Sequence, residues 1–360
     1  MNPQDSEKLR FIQQYGSFPL AYSALQQGIK SFNTEDGIIS YRKGKLGLKA
    51  YVLGDPIANK DRKRQLLEEF VANYRNPVFV QISDDAASML SEMDWYVNRF
   101  GIETFIDLPE YDTNLKGSKF EFIRRQIKAA HDEKITIEEL SQQALENRGV
   151  SIKDVKSLSD EWIKTRKVSG NELSFMVRPA VFEDEPDVRK FYAFQDDALV
   201  GFAFFDPLYQ DGATIGYYAD IHRNLPSTPK GTSYLLAIEA AKQFKDEGKQ
   251  RLELGISVLS HLDDPEPFPH SSFTKAYLNW SYRTLNDVYN FKGLEFHKQR
   301  FRGKERTIYY ASKNKFTFLE ITDLYLLDNI NVFSQVLKAI PKWINSDNKE
   351  KEKESPKNQN

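Results

Sequence analysis

Cysteine is absent from the 360 residues. A thiol nucleophile, a disulfide framework and a thiolate-held metal are therefore excluded, and any chemistry must use oxygen, nitrogen and backbone groups. Long hydrophobic runs are missing as well. No stretch approaches the roughly 18 apolar residues that cross a bilayer, and no basic segment followed by an apolar run opens the chain. A cytoplasmic protein is expected, with peripheral contact at the inner face of the membrane left open. There is no GxGxxG ahead of a helix and no GxxxxGK[ST] run, so neither a nucleotide oxidoreductase nor a P-loop hydrolase has a motif to rest on. The five histidines, His131, His222, His261, His270 and His297, form no compact metal-ligand spacing. Neither a metal nor a cofactor is expected.

What is present is apolar and aromatic material: 40% hydrophobic residues, with 25 Phe and 18 Tyr. That supply offsets the entropy of ordering a body this large, and the length exceeds one ordinary domain. Two cores are expected. The formal net charge of -2 averages over basic stretches at Lys116 to Lys128 and Lys292 to Arg306, which leave room for a polyanionic partner.

Along the chain, helical and strand patterns alternate, which argues for an α/β fold. Helices are expected at Gln4 to Tyr15, Lys60 to Tyr74, Asp84 to Met93 and within Leu115 to Glu133. In the last of these, Phe120, Ile123, Ile127 and Ala130 recur at helical spacing beside Lys119, Arg124, Arg125 and Lys128. Strands are expected at Gly37 to Arg42, Leu48 to Leu53, Pro77 to Ile82 and around Glu103 to Leu108. A second lobe begins with helix Ile152 to Lys164. It continues with strands at Phe191 to Gln195, Ala198 to Asp206 and Thr214 to Ile221, helix Thr232 to Glu247, and strand Gln250 to Leu254 ended by Gly255. Helix Phe273 to Asn286 and strands at Leu294 to Phe296 and Thr307 to Ala311 follow. The division is drawn as residues 1–140, 141–344 and a polar tail, 345–360.

Two segments carry chemical content. In Tyr217-Tyr-Ala-Asp-Ile-His-Arg223 a strand presents aromatics, including Tyr218, and Asp220, then runs into Arg223 and a proline-bearing turn. Lys230 and Gly231 lead from that turn into a helix whose free amides suit a phosphate or carboxylate. The bland alternative is that Asp220 caps the turn and Arg223 pairs with it. His222 is either a proton shuttle or an outward strand residue. The second segment, Val288 to Phe301, interleaves Lys292, His297, Lys298 and Arg300 with Tyr289, Phe291, Phe296 and Phe301. Such a mixture clamps phosphate while packing an adenine or acyl chain, or else forms a packed aromatic hairpin with solvated cations.

Together these pieces resemble the phosphatidylglycerol lysyltransferase C-terminal family, the soluble catalytic region of bacterial aminoacyl-phospholipid synthases. The matching residues are Gln14-Tyr-Gly16, Val52-Leu-Gly-Asp-Pro56, Gly117 to Arg124, Asp220-Ile-His-Arg223, Pro229-Lys-Gly231, Leu252-Glu-Leu-Gly255 and Tyr289-Asn-Phe-Lys-Gly-Leu294, followed by Lys298 and Phe301. They keep their order over roughly Phe11 to Ala311.

The resemblance implies tandem lobes of the GCN5-related N-acetyltransferase type, with mixed sheets, flanking helices and a tunnel between them. It also implies an aminoacyl-tRNA donor. Asp220 and Arg223 would stand at the transfer centre, assisted by Lys119 or Arg124. Tyr218, His222, Lys230, Gly231, Tyr289, Lys292, Lys298 and Arg300 would line the approach. Asp220 would orient or deprotonate the nucleophile or hold the donor's α-amine, while Arg223 would anchor phosphate or polarise the ester. Unlike the family's membrane synthases, these residues include no transmembrane flippase region. The acceptor is therefore left as a phospholipid headgroup, a small molecule or a peptide. An acyl-CoA-dependent N-acyltransferase and a noncatalytic tRNA- or lipid-binding protein are the alternatives.

Overall fold

The computed structural model describes residues 3–47, 49–166 and 172–330. The expected tail at 345–360 and the expected strand start at Leu48 lie outside these residues.

Helix α1 (Pro3–Tyr15) is stopped by Gly16, whose amide donates to the Ile12 carbonyl. A meander follows: β1 (Lys30–Asn33), β2 (Gly37–Lys43) and β3 (Ala50–Leu53), with the short β4 (Ile57–Ala58) folding back on β2. Helix α2 (Lys63–Asn73) buries Leu66, Leu67 and Phe70 and crosses to β5 (Val78–Ile82), which lies parallel to β3. Then come α3 (Asp84–Glu92), β6 (Tyr96–Asp107) and the amphipathic α4 (Glu121–Asp132), which buries Ile123 and Ala130 and exposes Arg124, Arg125 and Lys128.

The second half opens with β7 (Ile135–Glu139), α5 (Gln142–Asn147) and α6 (Ile152–Thr165), the last held at its start by a reciprocal Ser151–Asp154 capping box. Strands β8 (Arg189–Gln195), β9 (Ala198–Gln210) and β10 (Ala213–Asn224) are joined by two-residue turns. The second turn uses Asp211 and Gly212 at φ 51° and 79°, the backbone sign that a tight hairpin requires. Helix α7 (Gly231–Asp246) crosses to β11 (Arg251–Val258), parallel to β10. The order ends with α8 (Ser272–Tyr289), α9 (Phe291–Gln299), β12 (Lys304–Ser312) and α10 (Phe318–Leu327).

The mixed α/β class expected from sequence holds, and both halves share one sheet in the order β1-β2-β3-β5-β12-β6-β11-β10-β9-β8-β7. Each half contains a parallel strand–helix–strand unit, β3-α2-β5 and β10-α7-β11. The strand after each unit changes sides. β6 pairs with β11 of the second half, and β12 pairs with β5 and β6 of the first. A cut at residue 140 therefore separates the two units but leaves β12 on the far side of the strands it joins.

Two local expectations are corrected. Gly255 does not end β11. It occupies a register shift against β6 at φ 80°, where a side chain is strained, and the strand continues to Val258. Leu294 to Phe296 is not a strand but part of α9, and with it the hairpin alternative for this segment falls. Asn290 adopts the left-handed conformation (φ 53°, ψ 47°), ends α8, and accepts the Gly293 amide on its side-chain oxygen, so a second helix starts at once.

Candidate active site

β10 and β9 lose register between Ala219 and Ile221, which leaves Asp220 as the extra residue of a β-bulge. Bulges re-aim a side chain, and this one turns Asp220 into the interior. Its side chain is 1% exposed, and neither carboxylate oxygen has a hydrogen-bond partner. Arg178 Nε stands 3.9 Å away. Burial, and then the neighbouring Asp206, push the Asp220 carboxyl well above the usual range against the pull of Arg178 and Arg223.

Arg178, which the sequence reading missed, organises this cluster from the loop before β8. It donates to Asp206 at 3.0 and 2.5 Å and to Glu185 at 2.9 and 3.0 Å. Burial works against its charge, but Asp206, Asp220 and Glu185 outweigh that and raise its pKa. Three carboxyls thus surround one guanidinium, and Asp220 is the one left without a hydrogen bond. Arg223 is buried too, but committed: it donates to Ser159 Oγ and, at 2.5 Å, to Glu172, and its guanidinium lies 5.2 Å from the Trp162 ring centroid. The bland alternative, in which Arg223 pairs with Asp220, is not what the structure shows.

Beside Asp220, Tyr218 is buried, and burial followed by the Asp220 charge holds its hydroxyl far above its ordinary pKa. Its ring fits only because residue 255 is glycine. A Cβ there would stand 2.8 Å from a ring carbon, 3.2 Å from the hydroxyl and 3.5 Å from Lys298 Nζ, so these groups meet at one spot. Lys298, near the end of α9, is buried and donates to the Ile256 carbonyl at 2.5 Å. Burial lowers its pKa to about 7, with Glu103 opposing. His222 is half-buried, its Nε2 enclosed without a partner, and burial lowers it to about 4. His297 is brought down to about 3 by burial, with His222 and Lys298 adding to the shift.

The remaining expected residues are more dispersed. Lys119 is exposed over the Phe120 ring, and Arg124 is spent on the Leu115 and Gly117 carbonyls; neither makes a hydrogen bond or ion pair with the Asp220 cluster. Arg300 stacks on Phe296 at 3.9 Å and Phe122 at 4.8 Å, joining α9 to α4. Lys230 and Lys292 are exposed. Gly231 is buried against α4, where a Cβ would fall 1.8 Å from the Gln126 carbonyl oxygen, so its place is explained by helix contact. Tyr289 is half-buried, raised to about 12 by burial with Asp328 adding, and borders a small apolar cavity with Met176, Val258 and Leu285. Among the described residues, no group of three or more His, Asp or Glu is arranged to hold a metal ion.

Solved proteins share this overall fold. The L-PGS structure from Bacillus licheniformis superposes with a TM-score of 0.72 at 19% identity, over 91% of this chain and 96% of that one. The chain belongs to the phosphatidylglycerol lysyltransferase C-terminal family, whose model matches residues 9–312. A phosphatidylglycerol lysyltransferase of Bacillus subtilis (strain 168) is 23% identical over 318 residues, 85% of this chain and 35% of that protein. One from Staphylococcus xylosus is 24% identical over 265 residues, 70% of this chain and 29% of that protein. The chain therefore spans about a third of the length of these curated relatives. No helix among the described residues is long and apolar enough to cross a membrane.

Proposed function

We propose that the protein transfers an aminoacyl group from aminoacyl-tRNA to a hydroxyl of a phospholipid headgroup, phosphatidylglycerol being the acceptor named in its relatives. The observation that carries this reading is the Asp220 carboxyl, enclosed and without a hydrogen bond in a chain of this family. A donor bearing a free α-amine supplies the missing partner: an ammonium satisfies both oxygens and draws Asp220 to its charged form. Lys298, poised to shed its proton near neutrality, accepts the acceptor hydroxyl's proton. The hydroxyl oxygen then bonds to the ester carbonyl carbon, the bond from that carbon to the tRNA ribose oxygen breaks, and the ribose oxygen leaves with the proton. Tyr218 donates its hydroxyl hydrogen toward the carbonyl oxygen as charge develops there. The donor is already an activated ester, so no ATP enters the step. The contact of α4 on the first turn of α7 weighs against a coenzyme A pyrophosphate at that turn.

The test is to incubate the purified protein with separately charged, radiolabelled tRNAs and micellar phosphatidylglycerol, then to resolve labelled lipid by chromatography. One charged tRNA should label the lipid, and N-acetylation of the donor's α-amine should abolish labelling. Labelling from an acyl-CoA and from no charged tRNA would replace this reading with acyl-CoA-dependent acylation.

A further inference from the structure

Seven large hydrophobic side chains stand exposed among the described residues, and five of them fall in one place: Phe273 (52%), Trp280 (39%), Phe316 (67%), Phe318 (58%) and Leu319 (59%). The first two project from one face of α8. The other three come from the turn and first residues leading into α10. The aromatic side chains are joined by contact. Phe273 meets Phe316 at 4.4 Å between centroids, while Tyr277 lies 5.4 Å from Trp280 and 5.0 Å from Phe318. Together the five expose on the order of 500 Å² of apolar surface, as large as the largest patch on a typical monomer and of a kind that usually marks an interaction site.

The segments that carry the patch hold charge of one sign, although Lys275 is paired with Glu266 at 3.9 Å and Lys313 is bonded to the Met93 and Asp94 carbonyls. Residues 272–283 and 313–319 contain Lys275, Arg283, Lys313 and Lys315 and no Asp or Glu. Lys315 and Arg283 are exposed, Lys315 lying 5.9 Å from the Phe273 ring centroid. Two flanking carboxylates are already engaged. Glu320 is buried against Tyr310, Ser312 and Asn314, and Glu266 accepts the Arg99 amide. Exposed aromatic rings rimmed by cations match the boundary of an anionic bilayer, where rings sit at headgroup level and lysines meet phosphate.

Its position fits as well. β11 and β12 are both antiparallel to β6, and β10 is parallel to β11. The C-terminal ends of β10, β11 and β12 therefore point to the same edge of the sheet. Asp220 and Arg223 lie near that end of β10, and the patch begins just past Ser312, the end of β12.

We propose that this patch seats the protein on the surface of an anionic phospholipid bilayer, with Phe316, Phe318 and Phe273 entering the headgroup layer. This rests on the reading above in naming a lipid partner, but its test needs no donor. The full chain is sedimented with vesicles of phosphatidylcholine alone, or of equal parts phosphatidylcholine and phosphatidylglycerol. The wild type should partition onto the mixed vesicles and be released by salt. Phe316→Ser with Phe318→Ser should lower the partition coefficient by about 100-fold, since each ring loses roughly tenfold in apolar transfer. Lys315→Glu with Arg283→Glu should erase the preference for the mixed vesicles. All four side chains are exposed, so unchanged melting temperatures should accompany these losses. Wild type left in the supernatant with mixed vesicles, or a serine variant that binds them like wild type, overturns the proposal. So does a wild-type dimer in sedimentation that the serine changes dissolve, because the patch would then be a self-interface. Transfer to a short-chain, water-soluble phosphatidylglycerol reads the site alone, so loss of vesicle binding with that transfer intact separates failure here from failure of the proposed chemistry.

Discussion

At the scale of single residues the molecule has placed ionisable groups where water cannot reach them. Asp220 has a raised pKa, so between its unfolded value near 3.8 and its folded value the native state holds a proton that the unfolded chain has lost. Stability is therefore lost as pH rises through that window. Asp220→Asn does not titrate and keeps the shape. It should match wild type near pH 4 and melt progressively higher as pH rises, while transfer falls by about 10³-fold. Thermal melts across pH, paired with the labelling assay, check both halves; a variant that is fully active would leave Asp220 a structural residue. Lys298 has the opposite shift. Between about 7 and 10.5 the folded state has shed a proton that the unfolded chain keeps, so stability rises with pH there and the burial cost is fullest below 7. Lys298→Met should stabilise most at pH 6. It should also remove a rising limb near pH 7 from the kcat/KM profile, where Lys298→Met with an unchanged profile would assign the proton to another group.

Elements were legible in the sequence wherever one face is apolar. The periodicities behind α1, α2, α3, α6, α7 and α8 lie close to the observed helices, and the turn at Asp196 and Asp197 sits between the expected strands. What escaped was set by contacts between distant segments. Nothing local marks residues 294–296 as helix, because the Asn290 cap depends on one residue turning left-handed. β7 reads as polar, Ile135-Thr-Ile-Glu-Glu139, and takes its structure from pairing with β8. In the site, Asp220 and Arg223 stood out as a spacing, and their surroundings did not. Arg178 and Glu185 lie in a loop with no periodicity, and they reach Asp206 and Asp220 only through the fold. Gly231 looked like an anion-binding helix start because such starts are common; the structure puts α4 against it. Gly231→Ala should force α4 and α7 apart and cost about 1–3 kcal/mol, the range for overpacking a tight contact. Urea unfolding measures this, and an unchanged midpoint would mean that the helices separate at no cost.

For the whole molecule the governing feature is the exchange of β6 and β12. Each unit completes its sheet with a strand encoded near the other, so neither half keeps its full hydrogen-bond ladder if the two part. Trp95 is buried in the first half and Trp162 lies on α6 in the second. With each as sole fluorophore, obtained by replacing the other tryptophans with Phe, the unfolding curves should coincide in denaturant. Two separated midpoints would show that the halves hold together independently. The same sheet leaves little scope for admitting substrates by swinging one half from the other, so entry falls to loops and side chains.

The exchange also has a consequence for synthesis. β5 and β6 emerge from the ribosome early, but β12, which lies between them, follows only after some two hundred further residues. At about 5–20 residues per second that interval is roughly 10 to 40 seconds. Throughout it, the first half presents two open strand edges, Val78–Ile82 and Tyr96–Asp107, rich in Val, Ile and Phe. Unpaired edges of that composition recruit other strands. The nascent chain therefore passes through its most adhesive state long before it is finished, and ribosome-held chains that end before Lys304 should be the ones that bind chaperones.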